Sequence, residues 1–164
     1  KWAVCRPSVA WLCPQVFNKA NYRPHAMDTR EAYAQSGREP TEEEMLSVAL
    51  LQASWGAKGF IFYQWDDLFR GPVPERYEPR RRAALNVIRT LKGLEPFILS
   101  RRPIVEVAQR DERGHTRVVR MEAEDGRSVI LAIGLDLDNA CSFAGLDGAA
   151  TTFQGGEFSC RIYR

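Results

Sequence analysis

The chain has little of what would tie a protein to a metal, a membrane or a nucleic acid. It contains only two histidines and four cysteines. Cys5, Cys13, Cys141 and Cys160 form two distant pairs without C-x-x-C spacing, and no histidine lies near either pair, so no metal site is expected. His25 and His115 are isolated, and no serine or cysteine sits in a motif such as G-x-S-x-G, which leaves a catalytic triad unsupported. The glycine-bearing stretch GLDGAATTFQGG is followed by no helix and is not a phosphate loop. No cofactor is implied. The net charge is only +2, with both signs mixed along the chain, too weak a field to expect a polyanion such as nucleic acid. No apolar run approaches the roughly 18 to 20 residues of a membrane span, and the first residues do not read as a signal peptide. No membrane partner is expected. Internal repeats and low-complexity segments are also lacking.

What is present is a globular composition, 45% hydrophobic over 164 residues, enough for one domain or two small ones. The chain starts at Lys1 in KWAVCRPSVAWLC, which reads as the interior of a domain, so a fragment or a processed chain is expected. SVAWLCPQVF (8 to 17) is apolar and rich in strand formers, with Pro14 ending the strand near Cys13. Residues 18 to 40 carry no sustained periodicity and exceed the usual loop length, which marks a lid or a site loop. PTEEEM then sets Thr41 as N-cap and Glu44 as its capping-box partner. Met45, Val48, Ala49, Leu51, Gln52 and Trp55 come next at helical spacing until Gly56, predicting a helix over 41 to 55.

KGFIFYQW (58 to 65) is a continuous apolar run, as in a parallel strand covered on both faces. A second helix is predicted from near Pro79, with Ala84, Val87, Ile88, Leu91 and Leu94 on one stripe. The RRR run at 80 to 82 reads as a solvated face. From about Ser100 to Pro103 onward the pattern changes to short alternating runs separated by turn residues at 111 to 114, 125 to 126, 136 to 139 and 155 to 156. In the last run Phe158, Cys160 and Ile162 are predicted to face inward, and Ser159, Arg161 and Tyr163 outward toward water. For Cys141 and Cys160 a bridge and two small buried thiols are both open readings. The fold class is thus α/β followed by all-β, with an α/β part over 1–102 and an antiparallel part over 103–164. Two βα units leave sheet edges and faces uncovered, so the first part needs neighbours: missing N-terminal strands, a second copy in an oligomer, or the antiparallel part folded against it.

The order of an apolar strand ending in PQVF, a variable loop, PTEEEM, a helix ending in WGAKGFIFYQW, and a helix ending in LEPFILSRRP resembles the last quarter of a glycoside-hydrolase (β/α)8 barrel of the retaining clan. The likeness covers residues 8 to 103 and, by architecture, the β-sandwich after them. It implies that 8 to 13 and 59 to 65 are the seventh and eighth strands of a TIM-type barrel, that the ligand is a carbohydrate, and that a missing N-terminal barrel portion or a second copy completes the sheet. It also admits a secreted or periplasmic location.

Ligands of such barrels bind at the carboxyl ends of the strands. Gln15, Phe17, Tyr63, Gln64, Trp65, Asp66 and Asp67 fall there and are the candidate substrate-binding residues. Aromatic rings stack on the apolar faces of sugars, and amides and carboxylates pair with hydroxyls. The alternative is that Tyr63 and Trp65 pack and the aspartates form a turn or a cap. Catalytic carboxylates are not assigned. A retaining enzyme needs two carboxyls about 5 to 5.5 Å apart; the resembled clan carries them on the fourth and seventh strands, the fourth lies outside this sequence, and the seventh ends in Cys13-Pro14-Gln15. Asp66 and Asp67, adjacent in an extended strand, would point to opposite faces. The reading is the C-terminal part of a carbohydrate-active barrel enzyme. The competing readings are a non-catalytic sugar-binding or scaffolding module and a different (β/α)8 enzyme.

Overall fold

Thr41 and Glu44 close a full capping box: the Glu44 amide donates to Thr41 Oγ1 at 3.1 Å and the Thr41 amide to Glu44 Oε2 at 2.7 Å. Two of the orphan amides of the helix start are thereby satisfied. In the computed structural model, which describes residues 10–15, 18–23, 25, 27–110, 116–134 and 139–164, four helices succeed one another: α1 Arg30–Ser36, α2 Glu42–Ser54, α3 Tyr77–Gly93 and α4 Glu95–Ile98. The segment 18 to 40, expected as a lid or site loop without periodicity, contains the short helix α1. Thr29 caps it by accepting from the Ala32 amide at 3.0 Å, but seven residues are too few to show a periodicity.

Helix α2 is buried on two sides, against α3 and against the β-sheet, which is why Ser47, Leu50 and Ala53 are buried while Trp55 stays exposed. A single apolar stripe could not have conveyed that. In α3 the stripe Ala84, Val87, Leu91 with Leu94 is buried as expected, but Ile88 is exposed. The RRR run is also corrected: Arg80 is buried.

The parallel pair is short. Strand β1, Trp11–Leu12, runs beside β2, Gly59–Phe60, with Trp11 opposite Gly59 and Leu12 opposite Phe60. The pairing extends through the Lys58 amide to Ala10 O at 3.0 Å, the Ile61 amide to Leu12 O at 2.9 Å and a Gln15–Tyr63 bridge. Its carboxyl end therefore carries Gln15 and Tyr63 side by side. Lys58 donates to the carbonyls of Ile98 and Ser100 at 2.6 and 2.7 Å, fastening the start of β2 to the end of α4.

The remaining strands are β3 Val105–Glu106, β4 Ala108–Arg110, β5 Thr116–Glu122, β6 Ser128–Gly134, β7 Asn139–Ala144, β8 Ala150–Gly155 and β9 Ser159–Tyr163. All pair antiparallel, in a four-stranded sheet ordered β3-β5-β6-β9 and a three-stranded sheet ordered β4-β7-β8. The coarse succession of α/β and then β is therefore present.

The four-stranded sheet is apolar on both faces. Val119, Met121, Leu131 and Ile133 pack with the helices, while Val118, Ile130 and Ala132 pack with Cys141, Phe143 and Phe153 of the other sheet. The expected alternation of the last strand holds at Cys160 and Ile162, which point to the helices, and at Arg161, which is exposed; Tyr163 is the correction, pointing into the sandwich, where its ring meets Phe143 edge-on at 5.2 Å. The small sheet also has a wet face, on Ser142, Ala144, Thr152 and Gln154. Cys141 and Cys160 lie on opposite faces and are free thiols, not a bridge. Arg117 donates to Ser54 Oγ and Ser54 O at 2.9 and 3.1 Å, and Ser47 Oγ donates to Phe158 O at 2.5 Å. The middle of α2 is thus tied to the turn before β9, and its last residue to β5. Among the described residues no helix is long and apolar enough to cross a membrane.

Candidate functional site

Two parallel strands end on the same side by construction, and the turns beyond those ends shape the site. After β1 the chain makes a 3₁₀ turn, Lys19–Tyr22. After β2, Gln64 is extended and opens a second 3₁₀ turn, Trp65–Phe69; the Tyr63–Gln64 peptide bond is cis. The helical turn changes the expected disposition of the aspartates. Asp66 and Asp67 are not alternating strand residues: Asp66 is exposed, while Asp67 is only 1% exposed.

The buried carboxylate is fully engaged. Its Oδ2 accepts a short hydrogen bond from the Tyr22 hydroxyl, and its Oδ1 accepts from Arg70 Nη1 at 3.1 Å. The Asp67 backbone carbonyl accepts from Asn21 Nδ2 at 3.3 Å, and Asn21 Oδ1 in turn accepts from the Tyr33 hydroxyl at 3.0 Å. The carboxylate beside it, with a further contact from Tyr63, holds the Tyr22 phenol far above its ordinary range. Burial pushes the Tyr33 phenol up as well.

Arg80 of α3 locks this arrangement from below. Nη1 donates to Arg70 O at 2.7 Å, and Nη2 reaches Glu39 and the Tyr33 hydroxyl. Its guanidinium lies over the Tyr33 and Tyr77 rings, 5.9 and 5.5 Å from their centroids. One arginine thereby joins the segment after β1, the segment after β2 and the helix. Gly71 completes the junction with φ +105, and a Cβ there would sit 3.0 Å from the Tyr33 ring, so only glycine serves both constraints.

Around the engaged carboxylate stands a rim of exposed rings: Tyr22, Tyr63, Trp65 and Phe69. Trp65 meets Phe69 edge-on at 5.9 Å, and Phe69 meets Tyr77 in the same way at 6.2 Å. Such a cluster outside the core leaves ring faces available to a ligand. Of the sequence candidates, Gln15, Tyr63, Trp65 and Asp66 are on the surface, Gln64 is half-buried and Asp67 is buried; Phe17 lies outside the described residues. Packing alone does not account for Tyr63 and Trp65, both nearly half exposed. Sequence reasoning missed Asn21, Tyr22, Tyr33, Arg70 and Arg80. The length of the 18 to 40 segment pointed to a task for it, but nothing local singled out which of its side chains would reach Asp67.

His25, isolated in the sequence, is exposed and 3.2 Å from Asp28; His115 lies outside the described residues. No group of His, Cys, Asp and Glu suited to a metal ion occurs among the described residues. Comparison with protein-family models, curated proteins and solved structures finds no match for the chain.

Proposed function

We propose that this chain is the C-terminal part of a carbohydrate-active, glycoside-hydrolase-like (β/α)8 enzyme, supplying substrate-binding residues from the ends of its last two barrel strands. The observation that carries the reading is the exposed aromatic rim of Tyr22, Tyr63, Trp65 and Phe69 beside Gln15 and Asp66, at the shared carboxyl end of a parallel strand pair. Rings and hydrogen-bonding groups at that position suit a pyranose, whose faces are apolar and whose edge is polar. The two-stranded sheet also leaves Trp11 and Ile61 exposed, which fits a sheet continued by further barrel strands or by a second copy.

A binding module without turnover is the second reading, favoured by the state of Asp67. That carboxylate is committed to Tyr22 and Arg70, which suits holding the site together better than attacking a glycosidic bond. Binding of neutral oligosaccharides by calorimetry tests both readings. Trp65→Ala should lower affinity by about tenfold, the loss of a stacked ring; unchanged affinity, or no sugar binding by the wild type, overturns them. Hydrolysis of aryl glycosides separates the enzyme from the module.

A further inference from the structure

Beside the rim runs an open groove of about 450 Å³, which begins at Gln15 and is walled by the 18 to 40 segment, the first turns of α2 and the last β-hairpin. Its floor is apolar, from Met45 and Val48, and Phe158 closes one side. Phe158 is held unusually. Its φ is +52, a left-handed backbone that is strained for any side chain with a Cβ. Most hairpins place glycine at such a position. Here Ser47 Oγ anchors the Phe158 carbonyl to α2, and the ring lines the groove. Strain of this kind, maintained by a specific tether, concentrates where a side chain serves a ligand.

The charges of the groove are unequal. Arg38 is spent on Glu44, through Nη1 at 2.7 Å and a second short contact from Nη2. Arg23 also lines the groove and, among the described residues, forms no ion pair. A guanidinium lining the same groove as Met45, Val48 and Phe158, with Gln15 of the sugar-type site also in its lining, selects a unit with one hydrophobic face and one anionic edge.

We infer that this groove is a subsite for a carboxylate-bearing sugar, a hexuronic acid unit of the carbohydrate chain, with Arg23 binding its carboxylate and Phe158 its face. The inference rests on the carbohydrate reading of the neighbouring rim. The test is an oligosaccharide array of neutral chains and matched chains carrying a hexuronic acid, with calorimetry on the best pair. The uronic member should bind about tenfold tighter, the scale of one partly exposed charge-assisted contact, and the preference should shrink at high salt. Arg23→Gln should erase the preference while leaving neutral binding unchanged; the residue is exposed, so folding is not at stake. Neutral binding without an acid preference, or equal loss of both ligands in Arg23→Gln, overturns the subsite and leaves the carbohydrate reading standing. Absence of binding to any sugar overturns both.

Discussion

Tyr22 and Asp67, 45 residues apart in sequence, share a hydrogen bond that joins the turn after β1 to the turn after β2. The two strands themselves pair over only a few residues, so side chains beyond their ends set the shape of the rim.

The Tyr22 phenol should report this bond directly. Hydrogen bonding to the Asp67 carboxylate, more than burial, raises its pKa well above the ordinary 10.0, so its ionised form is disfavoured in the folded chain. Because the folded value is the higher one, this contribution to stability is complete below pH 10 and is lost only as pH climbs through the raised value. Ultraviolet titration should show two phenols ionising late, Tyr22 and the buried Tyr33. Tyr22→Phe should delete one of the two steps, and Asp67→Asn should bring that same step down; two late steps surviving both changes would assign it elsewhere.

Arg80 sets a larger energy. Its side chain is 7% exposed and its partner Glu39 is 17% exposed, so removing the charge leaves that carboxylate with only Arg76, itself half exposed at 3.0 Å, and takes the donor from the carbonyls of Leu68 and Arg70. Arg80→Gln should cost about 3 kcal/mol in urea unfolding and open the 18 to 40 segment to proteases. A cost below about 1 kcal/mol would mean that Arg80 behaves as a surface residue.

These two networks explain what the sequence could and could not convey. Capping boxes are local, so Thr41 and Glu44 were legible three residues apart; the stripe Ala84, Val87, Leu91 was legible for the same reason. Arg80 read as solvated because it is flanked by Arg81 and Arg82, and only tertiary contacts with Tyr33 and Glu39 distinguish it. Two-sided burial also misled. The alternation of β9 was correct and Arg161 is exposed as expected, but Tyr163 is covered, since the second sheet reaches its end of the face that the sequence pattern assigned to water. Of the site, the strand ends were legible from Gln15 and from Tyr63 to Asp67, whereas Tyr22 and Asn21 reach it across a turn whose geometry no spacing rule specifies.

Acid should weaken the fold through Glu44. Hydrogen bonds from Arg38, and then from the Thr41 amide, hold this carboxyl at about 2 against an ordinary 4.5, with burial opposing them. A carboxylate with a depressed folded pKa stabilises above the unfolded value and stops doing so as pH falls through the folded one. Stability should therefore drop between pH 4.5 and about 2. Because Arg38 is 70% exposed, solvent screening reduces the effect to about 1 kcal/mol. Glu44→Gln keeps a capping-box side chain but should flatten this window in pH-dependent melting; an unchanged slope would place the acid sensitivity in other carboxylates.

Thiol accessibility checks the two-faced sheet. Cys13 is exposed, while Cys141 is buried and Cys160 half-buried on opposite sides of the four-stranded sheet, and burial pushes the Cys160 thiol up. Peptide mapping after brief alkylation should find Cys13 modified and the other two modified only in denaturant. Rapid native labelling of Cys160 would contradict its packing against the helices.

Phe158 offers a comparison in which backbone strain can be separated from packing. Ordinarily alanine is the more stabilising residue because glycine gains more entropy on unfolding. At φ +52 the order should reverse. Phe158→Ala and Phe158→Gly both remove the ring, so lost contacts cancel between them, but only the glycine is free of the Cβ clash that left-handed backbone imposes. Chemical denaturation should place the glycine variant about 1 kcal/mol above the alanine variant. Both variants should bind the uronic chain more weakly if the ring forms a wall of the groove, so that a change relieving the hairpin would still cost affinity. An alanine variant as stable as the glycine one would show that the turn accommodates a side chain freely, and that the phenylalanine is held there without strain.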